Sequence, residues 1–319
     1  MKTITVLGGS GFVGSSLVAR LDQSGYRVRV LTRRREQAKH LFLLPNVSVL
    51  ECDVNDTAAL KAALAGSDAV VNLVGILHQS RHNSFDRMHH QLPRLVAQSC
   101  AELGIPRLIH MSALQAAADA PSEYLRSKAA GEQAVLAHAK QLQITIFRPS
   151  VIFGTRDKFI NLFAQLIRVI PVLALAMPHA RFQPIWVEDV AAAFSNAVDE
   201  PATFGKVYEL GGPAILTLRQ IMEAVMKVIG VQRPILGLSQ RMSLLQGGFM
   251  QLLPIKLLSR DNVKSMQVDN VCQQPMANEL CVVPTDMAAV ISGYLVKNNP
   301  RGAYDRFRAA AGRAINARR

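Results

Sequence analysis

Three side chains in the middle of the chain are spaced for proton chemistry: Ser112, then Tyr124 and Lys128. Tyrosine and lysine at i and i+4 share one helix face, so the ammonium can sit near the phenol and favour phenolate. A tyrosine tuned in that way gives or takes a proton at neutral pH, and a serine hydroxyl beside it holds a carbonyl or alcohol oxygen. The pair alone is a weak signal, because this spacing arises readily by chance. Position strengthens it: Arg107 to Met111 reads as a short strand that delivers Ser112 at its carboxyl end.

A second group of residues is built to seat a phosphate. The apolar run Ile4 to Leu7 stops at Gly8-Gly9-Ser10-Gly11 and passes into the amphipathic segment Phe12 to Leu21, giving strand, tight turn and helix. Glycines there permit the turn and let the backbone approach a pyrophosphate, while the helix N-terminus offers unpaired N–H groups. Two glycine frames fit at once, Gly9-x-Gly11-x-x-Gly14 and Gly8-x-x-Gly11-x-x-Gly14. An ordinary glycine-rich turn would show either frame too, so the motif needs its context.

That context is an alternation of strands and helices. Strands are expected at Arg27 to Leu31, Val47 to Cys52, Asp68 to Val74, Arg107 to Met111 and Gln143 to Phe147, with helices at Arg35 to Leu43, Asp56 to Leu64 and Phe85 to Leu103. This is a βαβ series, and it predicts an α/β doubly wound parallel sheet of Rossmann type with ligands at the carboxyl ends of the strands. After the second strand come Arg33, Arg34 and Arg35, where an acidic residue would bind the ribose of NAD; arginine there pairs instead with the 2′-phosphate of NADP. NADP(H) is therefore the preferred cofactor, with NAD(H) still admissible. Asp53 and Val54 end the third strand, where a carboxylate can reach the adenine amino group, and Leu73, Val74 and Gly75 end the fourth. Either could equally be a strand-end cap, and Asp56 reads as the N-cap of the next helix.

Composition bounds the remaining readings. With 319 residues, half of them hydrophobic, the chain can bury a full core. The apolar run Leu162 to Met177 contains Arg168 and Pro171 and falls short of a membrane span, and the strand at the very start leaves no room for a signal peptide, so a cytoplasmic location is expected. Cys52, Cys100, Cys272 and Cys281 have no metal or redox spacing and read as reduced, mostly buried thiols. His78, His82, His89 and His90 cluster in sequence without acidic or cysteine ligands at helical spacing, so no metal site is expected. The net charge of +13 suggests nucleic acid, but only 6% of residues are aromatic and no recognisable nucleic-acid motif is present. Part of the excess lies in Arg301 to Arg319, with six arginines and one aspartate, a tail able to meet anionic lipid, an acidic protein surface or nothing specific.

The glycine spacing, Asp53, Ser112, the Tyr124/Lys128 pair, Arg148-Pro149-Ser150-Val151-Ile152-Phe153-Gly154, Pro184 to Ala191 and Tyr208-Glu209-Leu210-Gly211-Gly212 occur in the order seen in extended and atypical short-chain dehydrogenase/reductases. The resemblance covers roughly residues 1 to 230. Ser122 to Glu132 looks most like the branch that holds the NADPH-binding accessory subunit of respiratory complex I and its bacterial relatives. The resemblance implies a cofactor path along Gly8, Gly9, Ser10, Gly11, Phe12, Val13 and Gly14, then Arg33 and Arg34, Asp53 and Val54, Leu73, Val74 and Gly75, Lys128, and Pro149 with Val151. It implies catalytic roles for Ser112, Tyr124 and Lys128, and quinone or inner-membrane biology. One departure stands out: active extended members carry an asparagine on the fourth helix that supports the lysine, whereas this chain has His89-His90-Gln91.

The expected organisation is a dinucleotide-binding domain at 1–155, remaining Rossmann elements interleaved with a small, mainly helical substrate or partner lobe at 156–296, and a basic tail at 297–319. Leu218 to Ile229 reads as an amphipathic helix, and Arg241 to Leu258 either packs over the substrate cleft or lies on a bilayer. The leading function is an NADP-dependent oxidoreductase acting on a hydrophobic carbonyl, alcohol or quinone-related compound. The alternative is a non-catalytic NADPH-binding structural or assembly factor for a respiratory or ubiquinone-related complex, peripheral on the cytoplasmic face of the inner membrane. A nucleotide-sugar epimerase or dehydratase is less favoured, because the apolar C-terminal third supplies few hydrogen-bonding groups.

Overall fold

All five residues of β1 (Thr3–Leu7) are buried, as expected for a strand covered by helices on both faces. The computed structural model describes residues 1–80, 83–251 and 258–296, so the basic tail, His82 and the end of the Arg241 to Leu258 stretch lie outside the described residues. Around β1 the sheet adds β2 (Arg27–Thr32), β3 (Val47–Glu51), β4 (Ala69–Asn72), β5 (Arg107–Met111) and β6 (Gln143–Pro149). A seventh strand, Lys206–Leu210, completes it, in the order β3-β2-β1-β4-β5-β6 and then the seventh. Every pairing in this sheet is parallel. Strand order reverses between β1 and β4, so a crevice opens at their carboxyl ends, where doubly wound folds seat ligands.

Helices cover both faces. On one, α1 (Phe12–Gln23) packs beside α6 (Val187–Asn196), burying Leu17, Leu21, Val190 and Phe194 against Val6 and Val30. On the other, α2 (Thr57–Leu64), α3 (Leu92–Glu102) and α4 (Glu123–Leu136) bury Leu60, Val96 and Val135 against Val70 and Leu108. The remaining helices α5 (Ile160–Val169), α7 (Leu218–Ile229), α8 (Gln240–Met250), α9 (Arg260–Ser265) and α10 (Met287–Leu295) belong to the lobe. Its core gathers Ile160, Ile167, Ile221, Val225 and Ile291. The lobe also carries short strand pairs that periodicity does not announce: Leu173–Ala176 with Ile235–Leu238, Ile152–Phe153 with Ile185–Trp186, and Arg181–Phe182 with Leu216–Thr217.

Some local expectations shift. The helix expected at Arg35 to Leu43 is a 3₁₀ segment, Arg35–Leu41. The helix expected from Phe85 opens with a π-turn, Asp86–Gln91, before α3 begins. Pro93 explains this: it has no N–H for the His89 carbonyl and its ring crowds that oxygen, so the ladder widens there. Of the cysteines, Cys52 and Cys100 are buried, Cys272 is half-buried and Cys281 is exposed. α8 packs by its small residues, Ser243 and Gly247, and leaves Met242, Leu245 and Phe249 exposed.

Candidate functional site

The turn after β1 is held by backbone alone. Gly8 has φ +81 and its carbonyl accepts the Gly11 N–H at 3.0 Å. A Cβ on Gly14 would collide with the Gly8 oxygen and the Gly9 backbone, so only glycine lets α1 start this close to β1. Gly11 is the N-cap of α1, no side chain caps it, and its first turn holds no acidic residue. The Ser15 hydroxyl donates back to the Gly11 carbonyl at 2.7 Å. Such a helix start presents N–H groups and partial positive charge to an anion. Ser10 and Phe12 are half-buried beside it, and Val13 is buried beneath.

Arg33 and Arg34 lie exposed at the carboxyl end of β2. Asp53 is exposed beyond β3, where its Oδ1 accepts from the Asn55 N–H at 3.0 Å and the Asn55 amide at 2.7 Å. These bonds hold its carboxyl below the usual range, with smaller help from Arg87 and Arg33. Asp56 caps α2 through the Ala58 and Ala59 N–H groups, as its position suggested. Val54 and Leu73 are buried, and Val74 is fixed by donation of its N–H to the Asn72 side chain at 3.1 Å.

The proton-chemistry residues come to one place. Ser112 leaves the end of β5 with its N–H on the Phe147 carbonyl at 2.7 Å, and its Oγ is buried with no partner among the described residues. Tyr124 and Lys128 stand one turn apart on α4, whose N-cap is Ser122. Lys128 is buried, and its ammonium donates to the Met111 carbonyl at 3.1 Å. A Cβ on Gly75, three residues past the end of β4, would stand 3.3 Å from that nitrogen, so the chain passes close to the ammonium there. The tuning expected from the i, i+4 spacing is not what the site shows. Burial raises the Tyr124 phenol to about 12, and burial lowers Lys128 to about 8 against a smaller opposing pull from Glu132.

Two histidines missed as site residues wall this cluster. The π-turn carries His89 inward, where Nε2 accepts the Ile76 N–H at 3.0 Å and Nδ1 meets the Ser127 hydroxyl at 2.9 Å. Because Nε2 accepts, the ring is neutral and protonated at Nδ1. It stacks on Phe85 at 5.4 Å and stands edge-on to Tyr124 at 5.4 Å. Burial first, then Lys128 and His110, lower its pKa to about 2. His110, on β5, faces Asn72 at 3.3 Å and is lowered to about 3 by burial and Lys128. His90 pairs instead with Asp86 at 2.9 Å, away from His89.

Pro149 is buried at the end of β6, and the Val151 N–H is taken at 3.1 Å by the Asn270 side chain, which also accepts the Ser150 hydroxyl at 2.5 Å. At the start of α4 the Asp261 carboxylate accepts the Glu123 N–H at 2.8 Å and the Tyr124 N–H at 3.1 Å. Asp261 and Asn270 carry no motif; only the folded lobe reveals them.

The chain is similar to known proteins in sequence and in fold. The family model described as NAD dependent epimerase/dehydratase family matches residues 4–211. The chain is 37% identical over 232 residues to "NADH dehydrogenase [ubiquinone] 1 alpha subcomplex subunit 9, mitochondrial" of Arabidopsis thaliana, covering 70% of this chain and 57% of that protein. It is 34% identical over 191 residues to "Ceramide reductase" of Caulobacter vibrioides, covering 59% of this chain and 58% of that protein. The chain thus spans under two thirds of the length of these relatives. A solved structure of UDP-glucuronic acid 4-epimerase from Bacillus cereus with NAD, 17% identical, superposes with a TM-score of 0.69 over 93% of this chain and 99% of that one, which speaks to the fold alone. With a glycine cradle at the switch point of a parallel sheet and a family match across most of that sheet, the chain belongs to the NAD dependent epimerase/dehydratase family.

Proposed function

We propose that this chain binds NADP(H) along the carboxyl edge of the sheet and acts as an oxidoreductase on a hydrophobic carbonyl or alcohol, lipid-like or quinone-related. The observation that carries the reading is the Ser112 hydroxyl, buried without a partner among the described residues at the end of the strand to which Lys128 bonds. A buried orphan hydroxyl is costly, and a ligand oxygen there would satisfy it. The cradle residues suit the dinucleotide: Gly8, Gly11 and Gly14 let the turn close tightly on its own backbone so that α1 starts, uncapped, against the end of β1, and Arg33 with Arg34 offers charge to a 2′-phosphate. Bound nicotinamide supplies or receives the hydride. The chain's own part is to hold the ligand oxygen on Ser112, move the proton at the Tyr124 phenol, and keep Lys128 at the nucleotide side. The Caulobacter relative, named as a reductase of ceramide, supports an apolar substrate.

A second reading has its own support. The Arabidopsis relative is named as a subunit of NADH dehydrogenase, and a phenol held at about 12 is a poor acid–base group in the free chain. Under this reading the chain holds NADPH as a structural ligand in a respiratory or quinone-related membrane assembly. No helix among the described residues is long and apolar enough to cross a membrane. Peripheral contact through the exposed apolar side of α8 and the basic tail suits either reading.

Titration with NADPH and NADH tests the site. NADPH binds more tightly, and Arg33→Ala with Arg34→Ala erases the difference; equal affinities in the unaltered chain would remove the 2′-phosphate clamp. Full rescue of a deletion strain by Tyr124→Phe would decide for the non-catalytic reading.

A further inference from the structure

The segment from Asp261 to Gln273 runs past Tyr124, fastened along its length. Asp261 takes the two N–H groups that open α4. Val268 packs in an apolar cluster with Tyr124, Ala113, Ala120 and Leu125. Asn270 holds Ser150 and Val151, and its own N–H and carbonyl pair with the Arg181 carbonyl and the Gln183 N–H. Gln115, in the left-handed region at φ 64, donates to the Val271 carbonyl at 3.2 Å. Cys272 donates its N–H to Gln183 at 2.9 Å and Gln273 its own to Glu209 at 2.6 Å.

We infer that this strap sets the ligand class of the Tyr124 site, admitting an uncharged apolar carbonyl compound and rejecting a nucleotide sugar. Two features that the strap touches would attract a diphosphate: the N-terminus of α4, which carries Tyr124, and the guanidinium of Arg181. Both are already matched by carboxylates of the strap, Asp261 on the helix start and Asp269 on Arg181 through bonds of 3.0 and 2.5 Å. An incoming diphosphate would meet Asp261 where it needs N–H groups. An apolar ligand meets Val268 and alanine methyl groups. The inference refines the oxidoreductase reading but is read out on Tyr124 itself, so a failure of NADPH binding and a failure of the strap are told apart.

The test is nitration of Tyr124 by tetranitromethane in the full chain, followed by peptide mass spectrometry. Tyr124 should react at least about tenfold more slowly than N-acetyltyrosinamide, and Asp261→Ala should recover about tenfold, as loss of its bonds to the start of α4 shifts the strap's local opening equilibrium by the strength of a hydrogen bond to a carboxylate. Ser122 still caps α4 in that variant; should it lose its helical circular dichroism, Asp261→Asn, which keeps one acceptor oxygen, carries the test with a smaller gain. In the unaltered chain 2-undecanone slows the reaction and UDP-glucose does not, whereas in the Asp261→Ala variant UDP-glucose slows it as well. Free reactivity of Tyr124 in the unaltered chain, no gain in the folded variant, or protection of the unaltered chain by UDP-glucose equal to that by 2-undecanone would overturn the inference.

Discussion

The Lys128 ammonium donates to the carbonyl oxygen of Met111 at 3.1 Å, one residue before the serine expected to hold substrate. Among the described residues this buried ammonium has one acceptor, and burial lowers its pKa to about 8 from an ordinary 10.5.

The sign follows from linkage. The folded pKa is depressed, so between about 8 and 10.5 the unfolded chain holds a proton that the folded chain has lost, and stability rises with pH across that window. Below it the penalty is complete. Lys128→Met is expected to be the more stable protein at pH 7, by up to about 3 kcal/mol on an order-of-magnitude conversion of the shift. The gap should close as the pH is raised. Urea midpoints of the two proteins from pH 7 to 10.5 measure it; a constant gap would show that the ammonium is not strained.

The glycine cradle makes a sharper demand. Gly14→Ala places a methyl group on the Gly8 carbonyl and the Gly9 backbone, neither of which can rotate away. Overpacking of this kind costs about 1–3 kcal/mol. The loss should appear in chemical denaturation together with loss of NADPH fluorescence enhancement. Gly25→Ala is the contrast: it sits at φ +81 with open space around its Cβ, so it strains the backbone while leaving nucleotide binding intact.

His89 and His110 give the acid limb. Both have pKa values depressed below the ordinary 6.5, so the neutral rings contribute fully above that pH, and stability is lost as the pH falls toward 3 while the unfolded chain takes up protons. His89→Asn can keep an acceptor for the Ile76 N–H without a titrating ring. Its urea midpoint should fall less steeply between pH 6.5 and 4 than that of the unaltered chain. An unchanged slope would place the acid sensitivity elsewhere.

Much of the sheet is legible because each strand is short, apolar and punctuated by glycine or a helix cap, and the placing of Ser112 and Tyr124 is legible because β5 ends just before one and α4 begins just before the other. The rest depends on distant chain. Asp261 lies 137 residues from Tyr124, and Asn270 lies 120 from Ser150, separations across which no local period or spacing carries information. The π-turn at Asp86–Gln91 needed Pro93 read as a ladder defect rather than as a position early in a helix. The Tyr124/Lys128 spacing was legible, but its electrostatics were not, because burial acts on both groups more strongly than they act on each other.

The seventh strand of the sheet has a consequence for biosynthesis. β6 pairs on its outer side only with Lys206–Leu210, and the start of the lobe is made between the two. As the chain leaves the ribosome, the first six strands can assemble while the outer edge of β6, with Ile144, Ile146 and Phe147, waits unpaired for residues not yet synthesised. An open apolar edge invites pairing with other chains. Slow translation between Pro149 and Lys206, or truncation within that interval, should therefore expose nascent protein to aggregation, whereas a stop after Leu210 closes the sheet.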